Sequence, residues 1–228
     1  MASVLRCGHR GACGYEPENT LRSFRKALEC GAAIIELDVQ RCKSGEIVVF
    51  HDDKLRRITG AQGSCASKTL EELRRLDAGK GERIPLLHEV FDLVDRRAVI
   101  NIELKAPDTV GTVAALIDRY VRSHGWSYDR FLVSSFNHYW LMDFKHACPL
   151  VRIGVLLVGV PLGYAECGEK LGAYSVHLSC HFVDEQFVED AHRRGLKVFV
   201  WTIDEPDEIE NMKRLGVDGI FSNFPDRV

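Results

Sequence analysis

The sequence has no long apolar run and no large excess of one charge. The longest stretch free of Asp, Glu, Lys and Arg runs from Ile153 to Ala165, whereas a helix that crosses a bilayer needs roughly 20 apolar residues. The 30 Lys and Arg residues nearly balance the 33 Asp and Glu residues, which leaves a formal net charge of −3. Nucleic acids and anionic membranes attract strongly basic surfaces. We therefore expect no nucleic-acid partner and no stable membrane insertion.

Several common motifs are also missing. The chain contains no G-x-x-x-x-G-K, no G-x-G-x-x-G and no G-x-S-x-G, so nucleotide-binding loops and a serine-hydrolase elbow have no support. The segment Met1–Arg6 lacks the apolar region of a signal peptide, and we expect a cytoplasmic protein. The eight cysteines include no C-x-x-C pair. Buried reduced thiols are therefore favoured over a disulfide scaffold.

Short apolar runs alternate along the chain with segments of helical period, which predicts an α/β fold. In the first helix, Asn19 or Thr20 can cap the N-terminus and Gly31 suits the position after the C-terminus. With hydrophobic residues at 46%, a full core can form. The predicted strands are Val4–Cys7, Ile34–Val39, Ile47–Phe50, Val99–Leu104, Phe131–Ser134, Ile153–Leu157, Ser175–Leu178, Lys197–Trp201 and Gly219–Phe221.

One pair of strands breaks the alternation. Only Lys43-Ser44-Gly45 separates Cys42 from Glu46, and a parallel crossover needs a dozen or more residues. The second and third strands must therefore form a hairpin, which brings His51 back toward the strand ends. The other eight strands predict a (β/α)8 TIM barrel that spans residues 1–228 as one domain. The irregular stretch from Asp53 to Leu86, with one short helix near Thr69–Leu76, is predicted to be a small insertion after the hairpin.

Acidic side chains alternate with apolar ones on two of these strands. Glu36 and Asp38 point to one side of the second strand, and Glu103 takes the equivalent side of Val99–Leu104 together with Asn101 and Lys105. Because the apolar side must face the helices, the acids point into the barrel, where they repel one another unless a cation joins them. All-oxygen ligation favours Mg²⁺ or Ca²⁺ over zinc. The alternative is an ordinary polar layer in which Lys105 neutralises Glu103.

Two histidines, His9 and His51, stand at C-terminal ends of predicted strands, where TIM barrels carry their reactive groups. Near a cation site they suit a general acid and a general base. Arg10 and Lys105 add positive charge there, so that three carboxylates, a divalent ion, these two cations and one phosphodiester are neutral together. The other seven histidines are interpreted as surface or core residues.

The order and spacing of several motifs resemble the glycerophosphodiester phosphodiesterase family. The resemblance covers essentially the whole chain, and five motifs in order make it more specific than any one of them. They are His9-Arg10-Gly11, Pro17-Glu18-Asn19-Thr20, Glu36-Leu37-Asp38-Val39, His51-Asp52 and Glu103-Leu104-Lys105, followed by Val200-Trp201-Thr202, Asp218–Phe221 and Pro225-Asp226.

The resemblance implies a TIM barrel with one Mg²⁺ or Ca²⁺ and an acid–base pair. The cation would lie on Glu36, Asp38 and Glu103, and the pair would be His9 and His51. Phosphate would be bound by Arg10 and Lys105, Glu18 would support the site, and Trp201 would contact the substrate or be an ordinary core aromatic. Two departures from the family pattern, Asp204 and Ser222-Asn223-Phe224, are expected to affect substrate preference.

The function implied is metal-dependent hydrolysis of a small-molecule glycerophosphodiester to sn-glycerol 3-phosphate and an alcohol. The nucleophile could be water or the adjacent glycerol hydroxyl, and the sequence does not say which histidine is the acid. Alternatives are a lysophospholipase D, a lyase that stops at the cyclic phosphate, and an inactive phosphate-binding barrel. The oligomeric state, the preferred alcohol and the role of the cysteines stay open.

Overall fold

The structure, a computed structural model, describes residues 4–228. Met1–Ser3, part of the segment in which no signal peptide is predicted, lie outside the described residues. Across residues 4–228, no helix is long and apolar enough to cross a membrane. All eight cysteines lie in this range and are free. Four of them are buried, namely Cys7, Cys42, Cys65 and Cys148, and the other four are partly exposed.

Eight parallel strands form a closed barrel. The strands are β1 (Leu5–Gly8), β2 (Ile34–Arg41), β3 (Ile47–Val49), β4 (Val99–Leu104), β5 (Phe131–Ser135), β6 (Arg152–Leu157), β7 (Ser175–Ser179), β8 (Lys197–Trp201) and β9 (Gly219–Ser222). Their order is β1-β9-β8-β7-β6-β5-β4-β2, and pairing of β1 with β2 closes the ring. Only β3 is antiparallel among the pairings of the described strands, and it returns along β2 as predicted. The predicted TIM barrel is confirmed.

Helices connect the strands and cover the outside of the barrel. They are α1 (Leu21–Glu29), α2 (Arg56–Thr59), α3 (Leu70–Arg74), α4 (Leu87–Val94), α5 (Val110–Ser123), α6 (His138–Ala147), α7 (Glu166–Lys170), α8 (Glu185–Arg193) and α9 (Pro206–Leu215). The Thr20 side chain caps α1 by accepting a hydrogen bond from the Ser23 amide. Gly31 follows α1 with φ at +74°, a conformation that favours glycine.

The apolar side chains form three separate clusters. The largest lies between the outer face of the barrel and the helices. A second fills the inside of the barrel with Cys7, Ile34, Leu132, Phe199 and Phe221. Because this cluster blocks the middle of the barrel, polar side chains above it have access to solvent only at the C-terminal ends of the strands.

The insertion after the hairpin has its own small core. Leu55, Cys65, Leu73 and Ile84 pack there with Val48 and other residues of the hairpin. The single short helix predicted near Thr69–Leu76 corresponds to α3, but α2 was not predicted. Four residues are too short to show a helical period. The apolar residues of the insertion are thus largely buried, and Arg57 of α2 points toward the strand ends, where it contacts Glu18 and Asp52.

Candidate active site

A small pocket opens among the C-terminal ends of the strands. Its volume is about 160 Å³, below the range of roughly 300 to 1,000 Å³ usual for drug-sized ligands. Polar residues from several strands line it together with apolar ones. The lining residues are His9, Arg10, Glu36, His51, Asn101, Glu103, Ser134, Phe136, Leu156, His177, Trp201 and Phe221. The pocket therefore suits one small polar group.

Three carboxylates meet beside this pocket, and two of them, Glu36 and Glu103, line it. Parallel pairing of β2 with β4 sets Asp38 beside Glu103, and oxygens of Glu36, Asp38 and Glu103 lie within 4.8 Å of one another. Burial, followed by the charges of Asp38 and Glu103, raises the pKa of Glu36 well above its usual value. Burial and the charge of Asp38 raise the pKa of Glu103 to about 7. Without a cation, the ionised cluster is thus unfavourable.

Neighbouring groups hold each carboxylate in place. The Arg10 backbone amide donates to Glu36 Oε2 at 2.7 Å, and Asn19 Nδ2 donates to Asp38 Oδ2 at 2.8 Å. Lys105 Nζ donates to Glu103 Oε1 at 2.8 Å and lies 3.7 Å from Asp38 Oδ1. Convergent oxygen ligands that repel one another suit a hard divalent cation such as Mg²⁺ or Ca²⁺. The donor set therefore fits the cation that the sequence predicts.

The turn after β1 presents Arg10 to the carboxylates. Arg10 and Gly11 both have positive φ, +49° and +83°, which turns the Arg10 amide toward Glu36. A Cβ at Gly11 would lie 2.8 Å from the Ser23 carbonyl oxygen, so only glycine fits against α1. The side chain of Arg10 then reaches Glu18, whose Oε1 accepts from Arg10 Nη1 at 2.7 Å.

The hairpin places His51 on the rim of the pocket. Gln40 Nε2 donates to the carbonyl oxygens of Phe50, His51 and Asp52, which fixes the backbone where β3 ends. His51 Nδ1 lies 2.7 Å from Asp52 Oδ1. Because a carboxylate can only accept, His51 Nδ1 donates and Nε2 is left for a substrate.

Arg57 of α2 ties the insertion to this rim. Its guanidinium donates to both carboxylate oxygens of Glu18 at 2.8 Å and to both of Asp52 at 2.6 and 2.8 Å. Hydrogen bonds from Arg57 are the largest cause of the lowered pKa of Asp52. Glu18 and Asp52 thus stay ionised, one beside Arg10 and the other beside His51.

His9 is held by a different kind of partner. Its Nδ1 lies 2.8 Å from Asn223 Oδ1, and Asn223 Nδ2 donates to Asp204 Oδ2 at 2.6 Å. Since Asp204 fixes the amide with its oxygen toward the imidazole, His9 Nδ1 must carry a hydrogen and Nε2 is free to accept. Burial and the charge of Arg10 lower the pKa of His9. This histidine is therefore neutral at neutral pH.

The two departures from the family pattern thus meet behind His9. Asp204 Oδ1 also accepts hydrogen bonds from the Ser222 hydroxyl at 2.9 Å and from the backbone N–H of Asn223 at 2.8 Å. The sequence interpretation connected these residues with substrate preference. Their contacts also connect them with the orientation of His9, and the effect on substrate preference stays a prediction.

Aromatic residues form the wall opposite the carboxylates. Trp201 and Phe136 are in edge-to-face contact, with ring centroids 5.7 Å apart, and Leu156 lines the pocket beside them. Trp201 Nε1 donates to the His177 carbonyl oxygen at 3.1 Å. Trp201 is therefore a wall residue of the pocket that also packs against the core.

Sequence reasoning missed several residues of this site. Ser134 and His177 line the pocket, and their inward positions on β5 and β7 follow from the same alternation that identified the acids. Arg57 was not identified, and Asn19 and Asn223 were named only as parts of motifs or, for Asn19, as a possible helix cap, with no role at the acids or at His9. They lie on loops or on a short helix, so only the folded chain brings them to the strand ends.

Fold and site together define a TIM-barrel protein with a cluster of three acidic residues beside a pocket that two histidines line. Residues 9–227 match the model of the Glycerophosphoryl diester phosphodiesterase family. A glycerophosphodiester phosphodiesterase of Caldanaerobacter subterraneus is 38% identical over 98% of this chain and 95% of that protein. The chain belongs to the glycerophosphoryl diester phosphodiesterase family.

Solved structures of phosphodiesterases have the same fold as this chain. A phosphodiesterase of Oleispira antarctica, solved in complex with the product sn-glycerol-3-phosphate, is 32% identical with a TM-score of 0.89 and covers 97% of this chain and 93% of its own. A glycerophosphodiester phosphodiesterase of Thermotoga maritima is 30% identical with a TM-score of 0.82, covering 99% and 97%.

Proposed function

We propose that this protein hydrolyses glycerophosphodiesters to sn-glycerol 3-phosphate and an alcohol. The observation that carries the proposal is the convergence of the Glu36, Asp38 and Glu103 carboxylates within 4.8 Å, beside a pocket that His9 and His51 line. Family membership supports the same activity. The product bound to the Oleispira antarctica relative is the product expected here.

In this proposal, Glu36, Asp38 and Glu103 hold one Mg²⁺ or Ca²⁺. When bound, the cation would supply positive charge that stabilises the phosphate oxygens in the transition state. Arg10 and Lys105 bind the same phosphate through their side chains, and Glu18 orients the Arg10 guanidinium. Trp201 contacts the substrate from the apolar wall.

The surroundings of the histidines give them different roles in proton transfer. His9 is neutral with Nε2 free, so it accepts the proton of the nucleophile, either water or the adjacent glycerol hydroxyl. The Asp52 carboxylate at His51 Nδ1 balances the charge of an imidazolium, so His51 donates the proton from Nε2 to the leaving alkoxide. The negative charge of the leaving group is thereby neutralised as it forms.

The direct test is product analysis with glycerophosphocholine in the presence of Mg²⁺ or Ca²⁺. We expect equal amounts of sn-glycerol 3-phosphate and choline, measured by mass spectrometry over time. Release of phosphocholine and glycerol would contradict the proposed bond cleavage. Absence of turnover with either metal across a panel of glycerophosphodiesters would contradict the proposed activity.

The role of His9 as base predicts a specific change in pH dependence. A base works when it is unprotonated, so kcat/KM should fall as the pH drops through the lowered pKa of His9. In Asn223→Asp, a carboxylate beside Nδ1 would stabilise protonated His9 and raise its pKa. We expect the acidic limb of the kcat/KM profile to move to higher pH.

The matched control is Asn211→Asp, which adds a carboxylate on the exposed surface of α9. Its acidic limb should coincide with that of the unmodified protein. An acidic limb that stays in place or moves to lower pH in Asn223→Asp would contradict the role of His9.

A further inference from the structure

One guanidinium lies between two parts of the proposed active site. Arg57 donates from Nε and Nη2 to the two carboxylate oxygens of Asp52, at 2.6 and 2.8 Å. From Nη1 and Nη2 it donates to the two carboxylate oxygens of Glu18, both at 2.8 Å. Four of the five N–H groups of the guanidinium are thus used, and each carboxylate is held in the bidentate geometry that arginine favours.

Each of these carboxylates also holds a group of the proposed mechanism. Glu18 Oε1, which accepts from Arg57, accepts from Arg10 Nη1 at 2.7 Å as well. Asp52 Oδ1 accepts from Arg57 and also from His51 Nδ1, which lies 2.7 Å away. Arg57 is therefore the middle of a chain of hydrogen bonds that joins the phosphate-binding Arg10 to the acid His51.

The core of the insertion fixes the backbone that carries Arg57. Leu55, two residues earlier in the chain, is fully buried in that core. Its backbone N–H donates to the Gly63 carbonyl oxygen at 3.0 Å, and its carbonyl oxygen accepts from the Thr59 hydroxyl at 2.9 Å. The helix α2 thus starts from a buried residue, although the Arg57 side chain itself is half exposed.

A second cation joins the insertion to the loop between β1 and α1, at residues outside the pocket. Lys80 Nζ donates to the Tyr15 carbonyl oxygen at 3.0 Å and to Glu16 Oε2 at 2.8 Å. Glu16 also accepts from Arg22 of α1. Lys80 therefore holds the insertion against the same loop as Arg57 does, but its partners lie outside the proposed mechanism.

We infer that Arg57 is a positioning residue for both parts of this site. It orients the acid His51 through Asp52, and it orients Arg10 through Glu18. The inference rests on the proposed function and adds a residue that connects its acid to its phosphate-binding group. Exposed ion pairs contribute little to stability, so the effect of Arg57 should be on catalysis rather than on folding.

Arg57 also supplies charge that the two carboxylates require. Together with Arg10 it balances Glu18 and Asp52, so these four side chains carry no net charge. Without Arg57, an uncompensated negative charge would lie near the phosphate and oppose binding of the anionic substrate. This effect adds to the loss of orientation and does not depend on the leaving group.

Two substrates with different leaving groups separate the two roles of Arg57. Glycerophosphocholine releases an alkoxide, which needs a proton from the acid. The p-nitrophenyl ester of glycerol 3-phosphate releases a stable phenolate, which leaves without one. Loss of the acid should therefore affect glycerophosphocholine much more than the p-nitrophenyl ester, whereas loss of phosphate binding should affect both substrates equally.

The test measures kcat/KM for both substrates at saturating Mg²⁺ or Ca²⁺. His51→Ala shows the pattern of a lost acid, and Glu18→Gln shows the pattern of lost phosphate orientation. Because a small displacement of a catalytic group can cost about 10²-fold in rate, we expect a loss of that size for Arg57→Gln with glycerophosphocholine. With the p-nitrophenyl ester, the loss should be only several-fold and should match that of Glu18→Gln.

Lys80→Gln is the matched control, because it removes the other cation that holds the insertion against this loop. It should keep the kcat/KM of the unmodified protein for both substrates, and thermal melting should show that it and Arg57→Gln are folded. Equal losses in Lys80→Gln and Arg57→Gln would mean that Arg57 only anchors the insertion, which would overturn the inference. Equal losses with the two substrates in Arg57→Gln would also overturn it.

Arg57→Lys is a second variant that keeps the positive charge. Its ammonium carries all three hydrogens on one atom and cannot hold two carboxylates in bidentate geometry. We therefore expect Arg57→Lys to stay impaired with glycerophosphocholine and to approach the unmodified protein with the p-nitrophenyl ester. Full activity of Arg57→Lys with glycerophosphocholine would contradict the positioning role.

The same measurements distinguish a failure of this inference from a failure of the proposed function. Equal losses with the two substrates in His51→Ala would refute the proposed acid and, with it, the role of Arg57. If His51→Ala and Glu18→Gln behave as expected while Arg57→Gln keeps full activity with both substrates, only the role of Arg57 is refuted.

Discussion

His51→Ala should lower kcat/KM for glycerophosphocholine by about 10²- to 10⁴-fold, the usual contribution of a positioned general acid. The variant removes the imidazole whose Nδ1 Asp52 holds, so the leaving alkoxide departs without a proton. His9→Ala should cause a loss of similar size, because the nucleophile then keeps its proton. Steady-state kinetics at saturating metal measure both effects.

His146→Ala is the matched control, since His146 is exposed on the last turn of α6 and lies outside the pocket. It should retain full activity. Thermal melting of all three variants separates loss of chemistry from loss of fold. A folded His51→Ala variant with activity within tenfold of the unmodified protein would count against its role as acid.

Removal of the metal should abolish activity, and Mg²⁺ or Ca²⁺ should restore it. A bound cation would contribute several kcal/mol of charge stabilisation in the transition state, so we expect stringent chelation to lower the rate by about 10³-fold or more. Glu36→Gln should reproduce this loss and raise the metal concentration needed for half-maximal activity. Glu189→Gln, on the exposed face of α8, should change neither quantity. Full turnover after chelation would refute the metal site.

The same site gives metal binding a defined pH dependence. With the pKa of Glu103 raised to about 7 and that of Glu36 also raised, these two carboxyls bind more protons in the metal-free fold than in the unfolded chain above about pH 4.5. A cation must displace those protons at low pH, whereas deprotonation at higher pH makes the carboxylates available to it. The increase in Tm on adding Mg²⁺ or Ca²⁺ should be larger at pH 8 than at pH 5.5. Equal increases would contradict these pKa shifts.

Much of the fold follows from local patterns. The strands Val99–Leu104 and Lys197–Trp201 have the predicted bounds, and the others differ by one or two residues. The three-residue link at Lys43-Ser44-Gly45 required the hairpin, because so short a link admits no other connection. The helix α2 was not predicted, because four residues are too few to show a helical period.

The acidic cluster was predictable for the same reason. Alternation along a strand fixes which side chains point inward. Because the strands are parallel, their C-terminal ends all lie at the same end of the barrel. Glu36, Asp38 and Glu103 could therefore be assigned to one place. His177 could have been assigned in the same way, as an inward residue of β7, had the alternation been applied to every strand.

The sequence alone thus determined the barrel, the carboxylates and the two strand-end histidines, because each depends on short-range periodicity. Tertiary structure decided which hydrogen-bond partners these groups have. Asn223 reaches His9 across 214 positions of the chain, and Arg57 reaches Glu18 across 39. Contacts between loops depend on how the barrel closes and on backbone turns such as that at Arg10. No local pattern encodes them, so the neutral partner of His9 and the charged partner of His51 emerge only from the fold.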